Sequence, residues 1–278
     1  MKSLIELFVR AEQADRIGEV DPKVAKWVID FARVLRTYFR AQVYGIEKMP
    51  SSKALLVGNH NAGITFFEPF ILGLAWYEYN HGEDSLNYLG HDAMVDMPLL
   101  GNFLRKIGMI RASHEAADAA FAANRKVLVF PGGNYEAFRP FKQRHRVDFG
   151  GKTGYVRLAL RNRVPIVPVM CLGGHETFFV LHRGEKLADL IGTKKLLRSE
   201  SFPLFLGLPT GIGMGPVFHF PLPAKLEVEL GEPISLEEYS PEDADDRAKC
   251  RQISEKVQGA IQAMMDARSA RRKWPIWG

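Results

Sequence analysis

Three short apolar runs, each ending in a cluster of glycines and polar residues, constrain this chain more than any other feature. After the turn formers Pro50-Ser51-Ser52, the run Lys53-Ala54-Leu55-Leu56-Val57-Gly58 leads into Asn59-His60-Asn61. Lys126-Val127-Leu128-Val129-Phe130 leads into Pro131-Gly132-Gly133-Asn134-Tyr135-Glu136, and Val164-Pro165-Ile166-Val167-Pro168-Val169 into Gly173-Gly174-His175-Glu176. Apolar runs of this length bounded by turn residues read as buried strands. The stretches 68–79, 114–124 and 152–161 between them read as helices. Strands alternating with helices predict an α/β fold, a mixed and largely parallel sheet flanked by helices. The loops at the carboxyl ends of such strands gather on one edge, where ligands bind. The His60 loop and the Glu136 loop are therefore predicted to share a cleft.

Asp21-Pro22 opens an N-terminal amphipathic helix, with Asp as cap and Pro in the first turn. Val24, Trp27, Val28, Phe31, Val34, Leu35 and Tyr38 recur along it at helical spacing, which suits a core-packing face or a helix lying on a membrane surface. Leu226-Glu227-Val228-Glu229-Leu230 alternates apolar and polar and predicts an edge or half-exposed strand. Ser240-Pro241-Glu242-Asp243 is placed as the cap of a long helix with a buried stripe of Ile253, Val257, Ile261 and Met264. No internal repeat or low-complexity linker divides the chain. One domain is predicted, with residues 1–40 as a helical lead, 41–240 as the α/β body, and 241–278 as a C-terminal helix and tail.

Composition narrows the class. Hydrophobic residues at 46% and charged residues at 25% match a chain that buries a full core rather than a disordered one. Cys171 and Cys250 are too few for a disulfide-stapled fold and fit reduced thiols. The net charge of +5 suits an anionic surface or a phosphate-bearing substrate, and no nucleic-acid motif accompanies it. The N-terminus has an early acid and no long apolar run, so no signal peptide is expected. A span needs ~20 mostly apolar residues. Glu68 interrupts one candidate stretch, and Pro203, Pro209, Pro216 and Pro221 interrupt the other. Phe202-Pro203-Leu204-Phe205-Leu206 reads instead as a loop inserted into a membrane surface. Trp274 and Trp277, beside Arg268, Arg271, Arg272 and Lys273, suit the interface. The expectation is a peripheral protein on the cytoplasmic face of a membrane, without a transmembrane helix.

Several sites fail on spacing. Gly151-Lys152-Thr153 ends like a phosphate-cradling loop, but Arg146 stands where the first glycine is required. There is no Gly-x-Ser-x-Gly elbow, no Cys-x-x-Cys pair and no His-Glu-x-x-His set, so neither a serine nucleophile nor a resident metal is predicted. His145, Asp148, His175 and Glu176 match no metal-binding template. Asn59-His60 at a strand end, with Glu68 eight residues on, is the informative cluster. A neutral imidazole can take a hydroxyl proton as the oxygen attacks an acyl carbonyl, and a carboxylate on its far nitrogen would hold the tautomer. The Pro131-Gly132-Gly133 turn offers backbone N–H groups to a phosphate or oxyanion, with Glu136 and Arg139 just downstream. Cys171 reads as a small buried hydrophobe.

Four segments in order resemble the blocks of the glycerolipid acyltransferases related to lysophosphatidic acid acyltransferase. They are Val57-Gly58-Asn59-His60, Ile107-Gly108-Met109-Ile110-Arg111, Val129-Phe130-Pro131-Gly132-Gly133 with Glu136, and Val164-Pro165-Ile166-Val167-Pro168-Val169. The Phe-Pro-Gly-Gly form, followed by Lys152-Thr153-Gly154-Tyr155-Val156-Arg157-Leu158-Ala159, is most similar to the monoacylglycerol and diacylglycerol acyltransferase branch. The resemblance spans about 38–233. It implies a glycerol-phosphate acyltransferase-like single domain and transfer of a fatty acyl group from acyl-CoA or acyl carrier protein to a glycerolipid or lysophospholipid hydroxyl. These thioesters are co-substrates, and no cofactor is implied.

Residue by residue, the resemblance places His60 as catalytic base, and Glu68, the next carboxylate along the chain, is the candidate partner of its ring. Asn59, Arg105, Arg111, Gly132, Gly133, Glu136 and Arg139 fall on the substrate side. Two positions depart from the commonest pattern: Thr65 stands where an Asp usually follows the histidine, and Gly132 stands where the third block usually has Glu. Glu136 is the candidate substitute for the second. The alternative reading is a non-catalytic, membrane-associated lipid-binding protein on the same fold.

Overall fold

Asp21 caps the first helix, α1 (Pro22–Tyr38), by accepting from the backbone N–H groups of Lys23 and Val24. The computed structural model describes residues 20–60, 63, 67–97, 99–193, 201–209, 211–215, 220–274, 276 and 277. Most of the predicted helical lead before α1, and Thr65, lie outside the described residues. The chain continues through β1 (Gln42–Tyr44), β2 (Ala54–Gly58), α2 (Glu68–Tyr79) and β3 (Leu86–Gly90). Two short helices, α3 (Asp92–Val95) and α4 (Leu100–Arg105), lead to β4 (Met109–Arg111), α5 (His114–Ala122) and β5 (Lys126–Val129). Then come α6 (Asn134–Ala137), α7 (Gly154–Asn162), β6 (Ile166–Leu172) and α8 (Gly174–Thr177). The remainder is β7 (Phe179–His182), α9 (Glu185–Ile191), β8 (Leu204–Gly207), β9 (Gly211–Met214), β10 (Glu227–Leu230) and α10 (Arg247–Ser269).

The main sheet runs β1-β10-β6-β2-β5-β3-β4, and β6, β2, β5, β3 and β4 are mutually parallel. The central strands are apolar on both sides. Leu55 and Val57 face one layer with α5, α7 and α10, while Ala54 and Leu56 face the other with α1 and α2. Period-2 alternation therefore produces two cores from one run, with helices covering both faces. β10 runs antiparallel to β6 and separates it from β1. This corrects the edge-strand expectation: β10 is an inner strand, and the edge position belongs to β1.

Three other expectations change. Ser240 closes a capping box on the 3₁₀ turn Pro241–Asp245, and Asp246 is the residue that caps α10. In α10 the buried stripe ends on Met265, with Met264 partly covered. On α1 the apolar set divides into two faces. Val28, Ala32 and Leu35 are buried, while Trp27, Phe31, Val34 and Tyr38 point outward. The segment expected as an inserted loop is the strand β8, in a small antiparallel sheet β7-β8-β9. Phe205 there is fully buried against Phe178 and Val180.

Candidate active site

The carboxyl ends of β2, β5 and β6 lie side by side, and each end is shaped by a local requirement of its sequence. At Gly58 a Cβ would stand 2.7 Å from the Phe130 ring, so glycine lets Phe130 pack beneath the strand end. Asn59 then exchanges two 2.8 Å hydrogen bonds with the Cys171 backbone, its amide donating to the carbonyl and its oxygen accepting from the N–H. A side chain thus continues the β2–β6 ladder one step past the last strand residue. His60 follows at the rim, partly exposed, its ring 5.4 Å from that of Phe130.

The His60 and Glu136 loops lie against each other. The His60 N–H donates to Glu136 Oε2 at 2.9 Å, and the Gly63 N–H donates to the Ala137 carbonyl at 3.0 Å. Glu136, 1% exposed, turns back beneath the Gly132–Gly133 turn. A Cβ on Gly132 would lie 2.3 Å from Glu136 Cγ and Oε2, so glycine at 132 and this carboxylate occupy the space alternatively. Its other oxygen accepts from the Asp148 N–H at 3.2 Å and lies 3.5 Å from Arg139 Nη2. Burial pushes the Glu136 carboxyl up to about 7, against the His60 and Asp148 N–H donors and the Arg139 charge, which favour the anion.

Several residues expected on the substrate side are turned inward. Asn59 is committed to the sheet, and Glu136 to the His60 backbone. Arg139, 4% exposed, donates to the Asp148 carbonyl at 3.0 Å and pairs with Glu136. The Gly133 N–H closes the turn onto the Phe130 carbonyl at 3.2 Å, so it is not the open donor expected of it. The Gly132 N–H has no acceptor among the described residues. Arg111 pairs with Asp96 at 2.6 Å. At about 4.8 Å per strand it sits roughly 14 Å from His60, three strands along the sheet. Arg105 donates to Asn102 on its own helix. Glu68 opens α2 and is 3% exposed; its charge adds to the burial that raises the Cys171 thiol well above its ordinary value, which makes that thiol inert.

Spacing concealed two further groups. Lys152 Nζ donates to the Gly132 carbonyl at 3.0 Å, placing a cation over the glycine turn. The only hint was Gly151-Lys152-Thr153 itself. His175 is buried on α8, and burial lowers its imidazole to about 3, so it is neutral. Arg144, His145 and Arg272 surround the neighbouring Glu176, a setting that repels a metal cation. An open groove beside Lys48, Glu232 and Lys256 lies at the opposite edge, where residues 231–234 run along the start of β6.

A family model described as Acyltransferase matches residues 40–172. An uncharacterized protein of Mycobacterium tuberculosis is 32% identical over 227 residues, covering 82% of this chain and 61% of that protein. Human diacylglycerol O-acyltransferase 2 is 23% identical over 166 residues, covering 55% of this chain and 42% of that one. The chain spans about three fifths of the length of the first of these relatives. Among solved structures, the 1-acyl-sn-glycerophosphate (LPA) acyltransferase PlsC from Thermotoga maritima superposes with a TM-score of 0.53 at 15% identity. That match covers 98% of this chain and 88% of PlsC, and it shows the shared fold.

Proposed function

We propose, from the match of residues 40–172 to the family model described as Acyltransferase, that the protein moves a fatty acyl group from an acyl thioester to a glycerolipid or lysophospholipid hydroxyl. The donor is acyl-CoA or acyl carrier protein, and His60 is the general base. The observation that carries this reading is the rim imidazole at the end of β2, its backbone held by buried Glu136 beside the Gly132–Gly133 turn.

In this mechanism His60 takes the acceptor's hydroxyl proton as the oxygen attacks the thioester carbonyl. The Gly132 N–H stabilises the developing oxyanion. The C–S bond then breaks, and the imidazolium returns its proton to the departing thiolate. Glu68 orients the ring from the start of α2. Lys152, whose Nζ sits on the Gly132 carbonyl, is the cation that meets an anionic head group or donor phosphates at the glycine turn.

A lipid acceptor requires contact with a bilayer, and no described helix is long and apolar enough to cross one. Peripheral docking is supported by two outward apolar faces. One is Trp27, Phe31 and Val34 on α1; the other is Leu206, Ile212 and Met214 on the β8–β9 hairpin. Residues 201–224 contain no Asp, Glu, Lys or Arg. The Tyr38 hydroxyl donates to the Pro221 carbonyl at 2.7 Å, tying the end of α1 to the segment that follows the hairpin.

The decisive assay is thioester-dependent release of free thiol, screened over lysophospholipids, monoacylglycerol, diacylglycerol and long-chain alcohols. Turnover that is lost in folded His60→Ala supports the mechanism. Full activity in that variant overturns it, and tight lipid binding with no turnover of any thioester favours the lipid-binding alternative.

A further inference from the structure

Among the described residues, Lys152 reaches the glycine turn without an acid beside it. Its Nζ donates to the Gly132 carbonyl at 3.0 Å, and that carbonyl also accepts from the Tyr135 N–H at 3.1 Å. A Cβ on Gly133 would stand 3.7 Å from the same Nζ, so the ammonium lies beside both glycines. The arginines of this region each have a carboxylate. Arg139 has Glu136 at 3.5 Å, Arg144 has Glu176 at 3.5 Å, Arg146 has Asp148 at 2.9 Å and Arg183 has Glu185 at 3.2 Å. An ammonium carries three N–H donors, and one of those on Lys152 is engaged by the described residues. On the chain to either side of it the surface is uncovered: a Cβ on Gly151 or Gly154 would meet nothing within 4 Å.

Covalent distances decide whose charge this cation can meet. The proposed oxyanion sits one hydrogen bond beyond the Gly132 N–H, and Nζ sits one hydrogen bond beyond the oxygen of the same residue. A phosphate touching Lys152 is therefore within roughly 10 Å of the reacting carbonyl. In acyl-CoA or acyl carrier protein the nearest phosphate is about a dozen bonds from the sulfur, roughly 15 Å along an extended pantetheine arm. In a glycerol phosphate the phosphorus is only a few bonds from the neighbouring hydroxyl, about 5 Å away. The acceptor's phosphate falls within reach, and the donor's falls beyond it.

We propose that Lys152 is a specificity-determining residue for an acceptor that carries a phosphate next to the hydroxyl it offers, a lysophospholipid rather than a neutral glyceride. The assignment rests on the proposed function for the placement of the reacting carbonyl at Gly132, and it narrows the acceptors of that function to one class.

The test uses the full-length chain as wild type, Lys152→Met and Lys152→Arg. The acceptors are a short-chain 1-acylglycerol 3-phosphate and the matching monoacylglycerol, each run with acyl-CoA and with the phosphate-free acyl-N-acetylcysteamine thioester. Thiol release gives kcat/KM for every pair. Wild type favours the phosphate-bearing acceptor. Lys152→Met lowers the ratio of the two kcat/KM values about 30-fold, mostly through KM of the phosphate-bearing acceptor, as expected for a lost hydrogen bond to a charged group. Lys152→Arg keeps most of the ratio, and the change is the same with either thioester. An unchanged ratio overturns the proposal, because a loss shared by both acceptors means that Lys152 only holds the glycine turn. A loss seen with acyl-CoA that vanishes with the phosphate-free thioester overturns it too, since the cation then reads the donor. So does a wild type that favours monoacylglycerol. If no thioester is turned over, the acyltransfer reading fails, and calorimetric binding of the same two lipids decides for Lys152. Tighter binding of the phosphate-bearing lipid that is lost in Lys152→Met sustains the phosphate site, and equal binding of the two lipids overturns it. Where Lys152→Met does not fold, Lys152→Gln is read by the same criteria.

Discussion

An imidazole at a strand end is useful as a base only if its backbone cannot drift, and at His60 the peptide N–H is held by a buried ionisable side chain. Glu136, 1% exposed, takes that N–H at 2.9 Å, and His175 on α8 is another buried ionisable group of this edge. With the proposed base removed, His60→Ala is expected to keep its fold and lose about 10²- to 10⁴-fold in kcat, as measured by thiol release. The two buried groups also write opposite slopes into stability. Burial raises Glu136 from its ordinary 4.5 to about 7, so the folded protein holds a proton that the unfolded chain has released; this makes stability fall as pH rises through that window, by roughly 3 kcal/mol. Burial lowers His175 from 6.5 to about 3, so the unfolded chain takes up a proton that the folded protein refuses, and stability falls as pH drops through that range. Between pH 4.5 and 6.5 the two oppose each other. Glu136→Gln leaves only the histidine slope: its melting temperature should climb steadily across that interval where wild type stays flatter, and exceed wild type above pH 7. Superimposable curves would refute the buried, proton-holding state of Glu136.

At the scale of elements, the site is made where a glycine lets one segment press on another. Gly132 over Glu136 is the case beside His60, with atoms 2.3 Å from a Cβ that is not there. Gly132→Ala is expected to cost about 1–3 kcal/mol as the turn or the carboxylate moves aside. Because the same carboxylate holds His60, amide exchange at His60 should accelerate in that variant, and denaturant melts with exchange measurements check both effects. The exchange of a third-block carboxylate for one four residues later was suggested by the letters of the sequence. That the later carboxylate folds back under the glycine, rather than facing substrate, was not legible. Spacing says that Glu136 is near Gly132; it does not say which way a four-residue helical turn will aim it. Arg139 was misplaced for the same reason. Asn59 looked like a substrate ligand because polar residues at strand ends usually are, but the two strands it bridges are 112 residues apart in sequence.

At the scale of the whole molecule, two apolar faces point outward, one on α1 and one on the β8–β9 hairpin. An antiparallel sheet usually shows one polar face to water, whereas this one sets Leu206 opposite Ile212 and Leu204 opposite Met214. Binding to anionic vesicles should be measurable by co-sedimentation at low salt and weaken as salt is raised. Ile212→Asp with Met214→Asp should reduce it strongly while thiol release with a monomeric short-chain acceptor persists; vesicle binding unchanged by both acids would remove the hairpin from the docking surface. The central strands, their helices and the edge where polar loops collect could be read from the chain alone, because a fully apolar run bounded by turn formers has few places to go but the middle of a covered sheet. Tertiary structure decided what local pattern does not encode. It set β10 inside the sheet, split the α1 stripe into a buried and an outward face, and brought Arg272 from the tail to Glu176. Each of these depends on a partner far away in sequence, and burial of a charge or a strand edge is settled by that partner rather than by the residues on either side.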